Sequence, residues 1–351
     1  MSREKPLRVG LLGFGRIASS IHLPVLSRMR NVAVISVAEP DETRRRDAAI
    51  RTSRSTCFAN FGELLKTSDV DAVVITLPNA LHASAAAAAF SRGLHVYVEK
   101  PLASNLGEGR QVVDAWRRAG TVGMIGFNYR FLPAYQRARE LIAADRIGRL
   151  VGVRSVFSTT RRSLPEWKQH RDTGGGALLD LASHHLDLAT WLVNAAPRAV
   201  SCDLQSRVTE DDTAVLQVEL SGGISAQIFA VFGGPEQHRL EILGERGALV
   251  VDPYGSEFVD IRAATLDGVR VSHMRSAAKA LASPRYWLEK INKSTWQVSY
   301  ERALGDFVRA ARSGGVVQPD LAAGCETLEW IDAARESARE GRRVPLGDAL
   351  L

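Results

Sequence analysis

The sequence predicts an α/β Rossmann-like domain over residues 1–128, followed by an α+β domain with a largely antiparallel sheet over residues 129–351. Three observations carry this expectation. Short apolar runs alternate with longer helical patterns as far as Phe127, as successive βα units do. The first run ends in a glycine turn that opens a helix. Beyond Phe127 strand-like segments follow one another with short turns between them.

Taken in order, strands are expected at 7–12, 32–38, 72–77, 95–98 and 122–127. Each is almost continuously apolar because helices would cover both faces of a parallel sheet. Helices are expected around 17–29, 41–51, 61–66, 81–91 and 106–118. The second domain opens with a helix near 134–144 and a strand near 151–158. A cluster at Gly174, Gly175 and Gly176 then leads into a helix through about Val193. Strands at 199–204, 213–220, 225–232, 239–243 and 248–252 are joined by turns such as Ser221-Gly222-Gly223, which favours antiparallel pairing. Helices return near 295–313 and 324–340. Between them and the sheet, 272–293, with Arg275, Arg285, Tyr286 and Trp287, is basic and poorly periodic, and reads as a covering or subunit-contacting loop or as an insertion.

Composition narrows the function classes. A chain of 351 residues that is 45% hydrophobic and 24% charged suits about two globular domains and excludes a disordered or collagen-like chain. No run of about 18 apolar residues exists, and the opening Met1-Ser2-Arg3-Glu4-Lys5 leads straight into a strand, so no membrane contact and a cytoplasmic location are expected. Cys57, Cys202 and Cys325 form no C-x-x-C pair and read as reduced, mostly buried thiols. The net charge of +6 is dispersed among acids, so no nucleic-acid partner is expected.

Gly13-Phe14-Gly15-Arg16-Ile17-Ala18 is a G-x-G-x-x-A turn, in which absent side chains let backbone approach a pyrophosphate at a positive helix end. Glu39 closes the second strand 21 residues after Ala18, where a carboxylate can accept both ribose hydroxyls and repel a 2′-phosphate. NAD is therefore favoured over NADP, although Arg44, Arg45 and Arg46 blur that choice. The third and fourth units end in Thr76-Leu77-Pro78-Asn79-Ala80-Leu81-His82 and in Glu99-Lys100-Pro101, on the edge of a parallel sheet where ligands sit. Thr76, Pro78, Asn79, His82 and Glu99 are thus candidate cofactor contacts, with helix capping an equal explanation for Asn79. An ammonium at Lys100 can polarise a substrate hydroxyl or exchange a proton with it.

The combination of Gly13-x-Gly15-x-x-Ala18, Glu99-Lys100-Pro101 and the stretch from Gly174 through Asp180, His184 and His185 to Asp187 resembles the Gfo/Idh/MocA family of nicotinamide-dependent oxidoreductases. The resemblance spans essentially the whole chain. It implies activity on a secondary alcohol or ketone of a sugar, sugar derivative or cyclitol such as an inositol, and a homodimer or homotetramer formed through an open sheet in the second domain. It also implies a cis Lys100–Pro101 bond and makes Asp180 and His184 the residues that complete the site. On a regular helix residues 180, 184 and 187 share one face, so Asp180 could orient His184 as general base while Lys100 stabilises the developing alkoxide. No further ligand motif accompanies this cluster, so no metal is expected. His185 points away and is expected to be packed or exposed. Arg130, in Asn128-Tyr129-Arg130-Phe131, suits either a contact to substrate or to the cofactor carboxamide or a salt bridge at a hinge. Trp167, with Lys168 and His170, is placed to wall a sugar ring. Two alternatives remain open, an NAD-retaining glycoside hydrolase and a non-catalytic nucleotide-responsive regulator.

Overall fold

The computed structural model describes residues 5–52, 55–160, 166–171, 175–253, 259–263 and 295–347. The 272–293 segment lies outside the described residues. The chain divides into two compact units, Met1–Asn128 with Tyr300–Glu329, and Tyr129–Ser299 with Trp330–Leu351. The chain passes to the second unit after Asn128 and returns to the first near its end.

In the first unit six parallel strands are ordered β3-β2-β1-β4-β5-β6: β1 (Leu7–Leu12), β2 (Val32–Ala38), β3 (Thr56–Phe58), β4 (Ala72–Ile75), β5 (His95–Val98) and β6 (Gly123–Ile125). β3 pairs with β2 through Ser36, Val37 and Ala38, and its three residues are too few to read as a strand from sequence. Strand order reverses between β1 and β4, which creates a crevice at their carboxyl ends. Three of the helices start at side-chain caps. Asp41 accepts Arg44 N at 2.8 Å, Asn60 accepts Glu63 N at 2.9 Å and Asn105 accepts Glu108 N at 3.0 Å, opening α2 (Glu42–Arg51), α3 (Phe61–Thr67) and α5 (Leu106–Ala119). Before α1 (Leu23–Arg28) the chain makes a π-helical turn, Ala18–His22, and α4 (His82–Ser91) follows a 3₁₀ turn at Asn79–Leu81.

The returning segment, 300–329, carries parts of two long helices, Thr295–Ser313 and Leu321–Glu340. Gly109 and Gly123 admit the second of these. A Cβ at Gly109 would lie 2.7 Å from Leu328 Cδ1, and one at Gly123 would lie 2.8 Å from Leu321 Cδ1.

The second unit holds eight strands ordered β13-β12-β11-β7-β10-β9-β8-β14. They are β7 (Leu150–Thr159), β8 (Pro197–Gln205), β9 (Thr213–Leu220), β10 (Ile224–Phe232), β11 (Gln237–Gly244), β12 (Gly247–Val251), β13 (Asp260–Ala263) and β14 (Val344–Pro345). All neighbours are antiparallel except β7 and β10. Along 214–220 of β9 and 224–230 of β10 burial alternates: Leu216, Val218, Ala226 and Ile228 are buried, whereas Val215, Gln217, Gln227 and Phe229 are exposed. One face is therefore core, with α7 (Ser183–Val193), which follows α6 (Pro133–Ala143), packed over β7 and β10. On the other face Val215, Gln217, Gln227 and Phe229 are left exposed among the described residues. Cys202 is buried and Cys57 and Cys325 are half-buried, all three unbridged.

Beneath α7 lies a column of rings. His185 stacks on Phe157 at 4.9 Å and on His238 at 4.7 Å, His238 stacks on Phe157 at 4.7 Å, and Tyr135 Oη lies 3.1 Å from His238 Nε2. His185 is buried rather than exposed, and its Nδ1 pairs with Ser155 Oγ. Burial pushes the His185 imidazole down to about 3, and burial followed by the neighbouring His185 pushes His238 well below the ordinary range.

A folded His185 that stays neutral while the unfolded chain protonates near pH 6.5 contributes stability that is complete above that pH and lost as pH falls toward 3. Its share of the loss between pH 7 and pH 5 is about 2 kcal/mol. Urea unfolding of the protein and of His185→Phe at both pH values checks this: the variant should lose about 2 kcal/mol less between them. Equal losses would contradict the assignment.

Candidate functional site

The nucleotide half of the site is built at the β1/β4 reversal. Gly13 has φ of 94°, and a Cβ there would sit 2.8 Å from the Thr76 carbonyl oxygen, so the turn closes only around glycine. A Cβ on Gly15 would meet nothing within 4 Å, which leaves open space along the backbone at the start of the helix. Arg16 is exposed there, Ile17 half-buried and Ala18 buried. Thr76 is buried, and its Oγ1 lies 3.0 Å from the Gly13 carbonyl, tying the ends of β1 and β4 together.

Glu39, expected to accept the ribose hydroxyls, follows β2 with its carboxylate already engaged. Oε2 accepts Phe14 N at 2.7 Å; Oε1 accepts Asp41 N at 3.0 Å and the Arg44 Nε and Nη2 atoms at 3.1 and 2.9 Å. The residues fit a dinucleotide: a glycine turn open at Gly15, a helix start behind it and a buried carboxylate anchored to the turn.

Pro78 is exposed and Asn79 buried in the turn after β4. His82, expected among the cofactor contacts, is 1% exposed, with Nδ1 2.7 Å from the Pro101 carbonyl and Nε2 2.8 Å from the Leu77 carbonyl. Both ring nitrogens thus face backbone acceptors, and the ring ties the loop after β4 to the loop after β5. Burial lowers its basicity, against the raising influence of the two carbonyls. Glu99, likewise expected at the cofactor, is buried with Oε1 2.8 Å from His22 Nε2. Sequence reasoning missed His22, which lies one turn beyond Ala18 and is fully buried against the rings of Tyr97 and Tyr300. Lys100, half-buried, is the second residue after β5, and the Lys100–Pro101 bond is cis.

The second unit carries the other candidates. Gly176 has φ of 92°, and Gly175 donates from N to the His170 carbonyl at 2.9 Å, so the turn folds back on the preceding loop. Gly174 lies outside the described residues. The expected continuous helix begins instead as a π-helical turn, Leu178–Ala182, which places Asp180 outside the regular spacing of α7. Asp180 Oδ2 accepts the Lys168 ammonium at 2.8 Å, so Lys168, expected only in the wall of the pocket, is an immediate neighbour of Asp180. Trp167 lies in the turn Glu166–Lys168.

His184 is 7% exposed and stacks on Tyr129 with ring centroids 4.2 Å apart and planes 22° from parallel. Arg130 makes a bidentate pair with Asp187 within the second unit, Nε at 2.9 Å from Oδ2 and Nη2 at 2.6 Å from Oδ1. Burial raises the Asp187 carboxyl above its ordinary range, against the opposing pull of Arg130. Among the described residues no group of three or more His, Cys, Asp or Glu could hold a metal ion, and no helix is long and apolar enough to cross a membrane.

Together these features supply a dinucleotide crevice with an ammonium beside it in one unit, and a paired carboxylate with a stacked imidazole in the other. Residues 7–129 match the oxidoreductase-family model for an NAD-binding Rossmann fold, and residues 139–346 match the oxidoreductase-family C-terminal alpha/beta domain. The chain is similar to D-xylose 1-dehydrogenase (NADP(+)) 2 of Haloferax volcanii, with 29% identity over 96% of this chain and 99% of the relative. It is also 30% identical to a dTDP-3,4-didehydro-2,6-dideoxy-alpha-D-glucose 3-reductase of Streptomyces violaceoruber, over 95% of this chain and 96% of the relative. A solved levoglucosan dehydrogenase in complex with NADH and levoglucosan shares the fold, at a TM-score of 0.84 and 24% identity over 98% of this chain and 100% of that one. The chain belongs to the Gfo/Idh/MocA family of NAD(P)-dependent oxidoreductases.

Proposed function

We propose that the protein oxidises a secondary alcohol, or reduces the corresponding ketone, on a sugar, sugar derivative or cyclitol. The observation that carries this reading is Lys100 at the carboxyl end of β5, in a sheet whose order reversal is lined by the Gly13–Gly15 turn. The xylose dehydrogenase and deoxysugar reductase among its relatives support the substrate class. Bound nicotinamide would accept or deliver the hydride. Lys100 would stabilise negative charge on the substrate oxygen, and His184, its ring held flat against Tyr129, would take or return the hydroxyl proton. Asp180, neutralised by Lys168, would position the substrate's hydroxyl groups. A reducing cytoplasmic setting suits the three unbridged cysteines.

The sheet of the second unit supports a homodimer or homotetramer. Val215 and Phe229 are opposite each other across β9 and β10 and are 38% and 37% exposed among the described residues, an exposed apolar pair. Phe229→Glu should shift the protein to monomer in light scattering after size exclusion. An unchanged mass would place the interface elsewhere.

The catalytic reading is checked by following NADH formation or consumption with a panel of polyols and keto-sugars. Lys100→Ala and His184→Ala should each lower kcat by about a hundredfold or more while NADH binding is retained. Undiminished turnover in either variant would remove that residue from the reaction, and free sugar released without net NADH would indicate glycoside cleavage instead.

A further inference from the structure

Arg44 lies on the carboxylate that a ribose would need. An ionised carboxylate offers about four acceptor positions. On Glu39, Phe14 N occupies one on Oε2, while Asp41 N and the two Arg44 nitrogens crowd Oε1. The first two donors are backbone amides of the glycine turn and of the start of α2, so the carboxylate, itself 3% exposed, is held in place. Arg44 is the movable partner: its side chain is 55% exposed. The other two arginines of the run are engaged differently, Arg45 with the carbonyls of Glu39 and Pro40 and Arg46 with Glu42.

We infer that Arg44 sets the choice between NAD and NADP, and that the protein binds both. The inference rests on the reading of the Gly13–Gly15 crevice as the dinucleotide site. With NAD, the ribose hydroxyls donate to Glu39 and displace the Arg44 guanidinium from Oε1. With NADP, Arg44 remains beside Glu39 and pairs with the 2′-phosphate, so the guanidinium lies between two anions and cancels the repulsion that an isolated Glu39 would exert. Arg44 is thus a competitor for one cofactor and a ligand for the other. A bare strand-end carboxylate would exclude NADP; this one is screened.

Equilibrium titration of the substrate-free protein with NADH and with NADPH, read by nicotinamide fluorescence, tests the inference without turnover. The wild-type protein should bind both. Arg44→Ala should weaken NADPH by about tenfold or more and should strengthen NADH by no more than about fivefold. Arg46→Ala should leave both dissociation constants unchanged. Arg44→Lys, which keeps the charge but loses the planar fork, should retain part of the NADPH affinity. Wild-type binding of both cofactors with an Arg44→Ala ratio unaltered would overturn the role of Arg44 alone. A wild-type protein that binds NADH but not NADPH would show that Glu39 is not screened and would overturn the inference. Failure to bind either cofactor would overturn the dinucleotide site itself.

Discussion

The nucleotide half of this protein depends on one close approach, the backbone of Gly13 against the carbonyl of Thr76. The 2.8 Å between that oxygen and a notional Cβ means that the ends of β1 and β4 can meet only around a glycine. Neighbouring features build on this contact. Phe14 is left with its N–H directed at Glu39, 25 residues onward, and that bond makes the acidic end of β2 part of the turn. Thr76 Oγ1 reaches back to the Gly13 carbonyl from the other side. The crevice is therefore held by backbone groups and by the side chains of Thr76 and Glu39.

A second layer of buried polar side chains connects the loops. His82 spans the Leu77 and Pro101 carbonyls, and His22 holds Glu99. Neither ring needs to reach a ligand to matter, since Lys100 lies between Glu99 and Pro101 and inherits the order of both. In the second unit the same economy recurs with stacked rings. Tyr129 supports His184, and Phe157 supports His185 and His238 in a core that tolerates imidazoles by keeping His185 and His238 neutral. Charged groups beside this core are paired, Arg130 with Asp187 and Lys168 with Asp180, because an isolated charge there would bear the full cost of lost hydration.

Local patterns were legible and distant partners were not. The glycine turn, the acid at the end of β2 and the lysine after β5 belong to strand–turn–helix units, whose geometry follows from a few adjacent residues. The alternation along β9 and β10 is equally local, and it announces a sheet with one covered face. β3 and β14 escaped notice because three and two residues carry no periodicity; they exist as strands only because β2 and β8 offer an edge. The π-helical turn at Leu178–Ala182 also escaped, since the residues there have the composition of an ordinary helix and only its packing reveals the change of pitch.

By itself, then, the sequence determined the order of the βα units, the dinucleotide turn and the identities of the polar residues at the strand ends, because each depends on neighbours within a turn or two. Tertiary structure alone decided their partners: His22 with Glu99, 77 residues apart, Arg130 with Asp187, 57 residues apart, and the return of 300–329 to the first unit. It also decided that Arg44 rests on Glu39, which five residues of separation permit but do not require. The physical reason is common to all of them. A buried donor or charge takes whichever complementary group the packing brings within about 3 Å, and that proximity is a property of the assembled fold rather than of spacing along the chain.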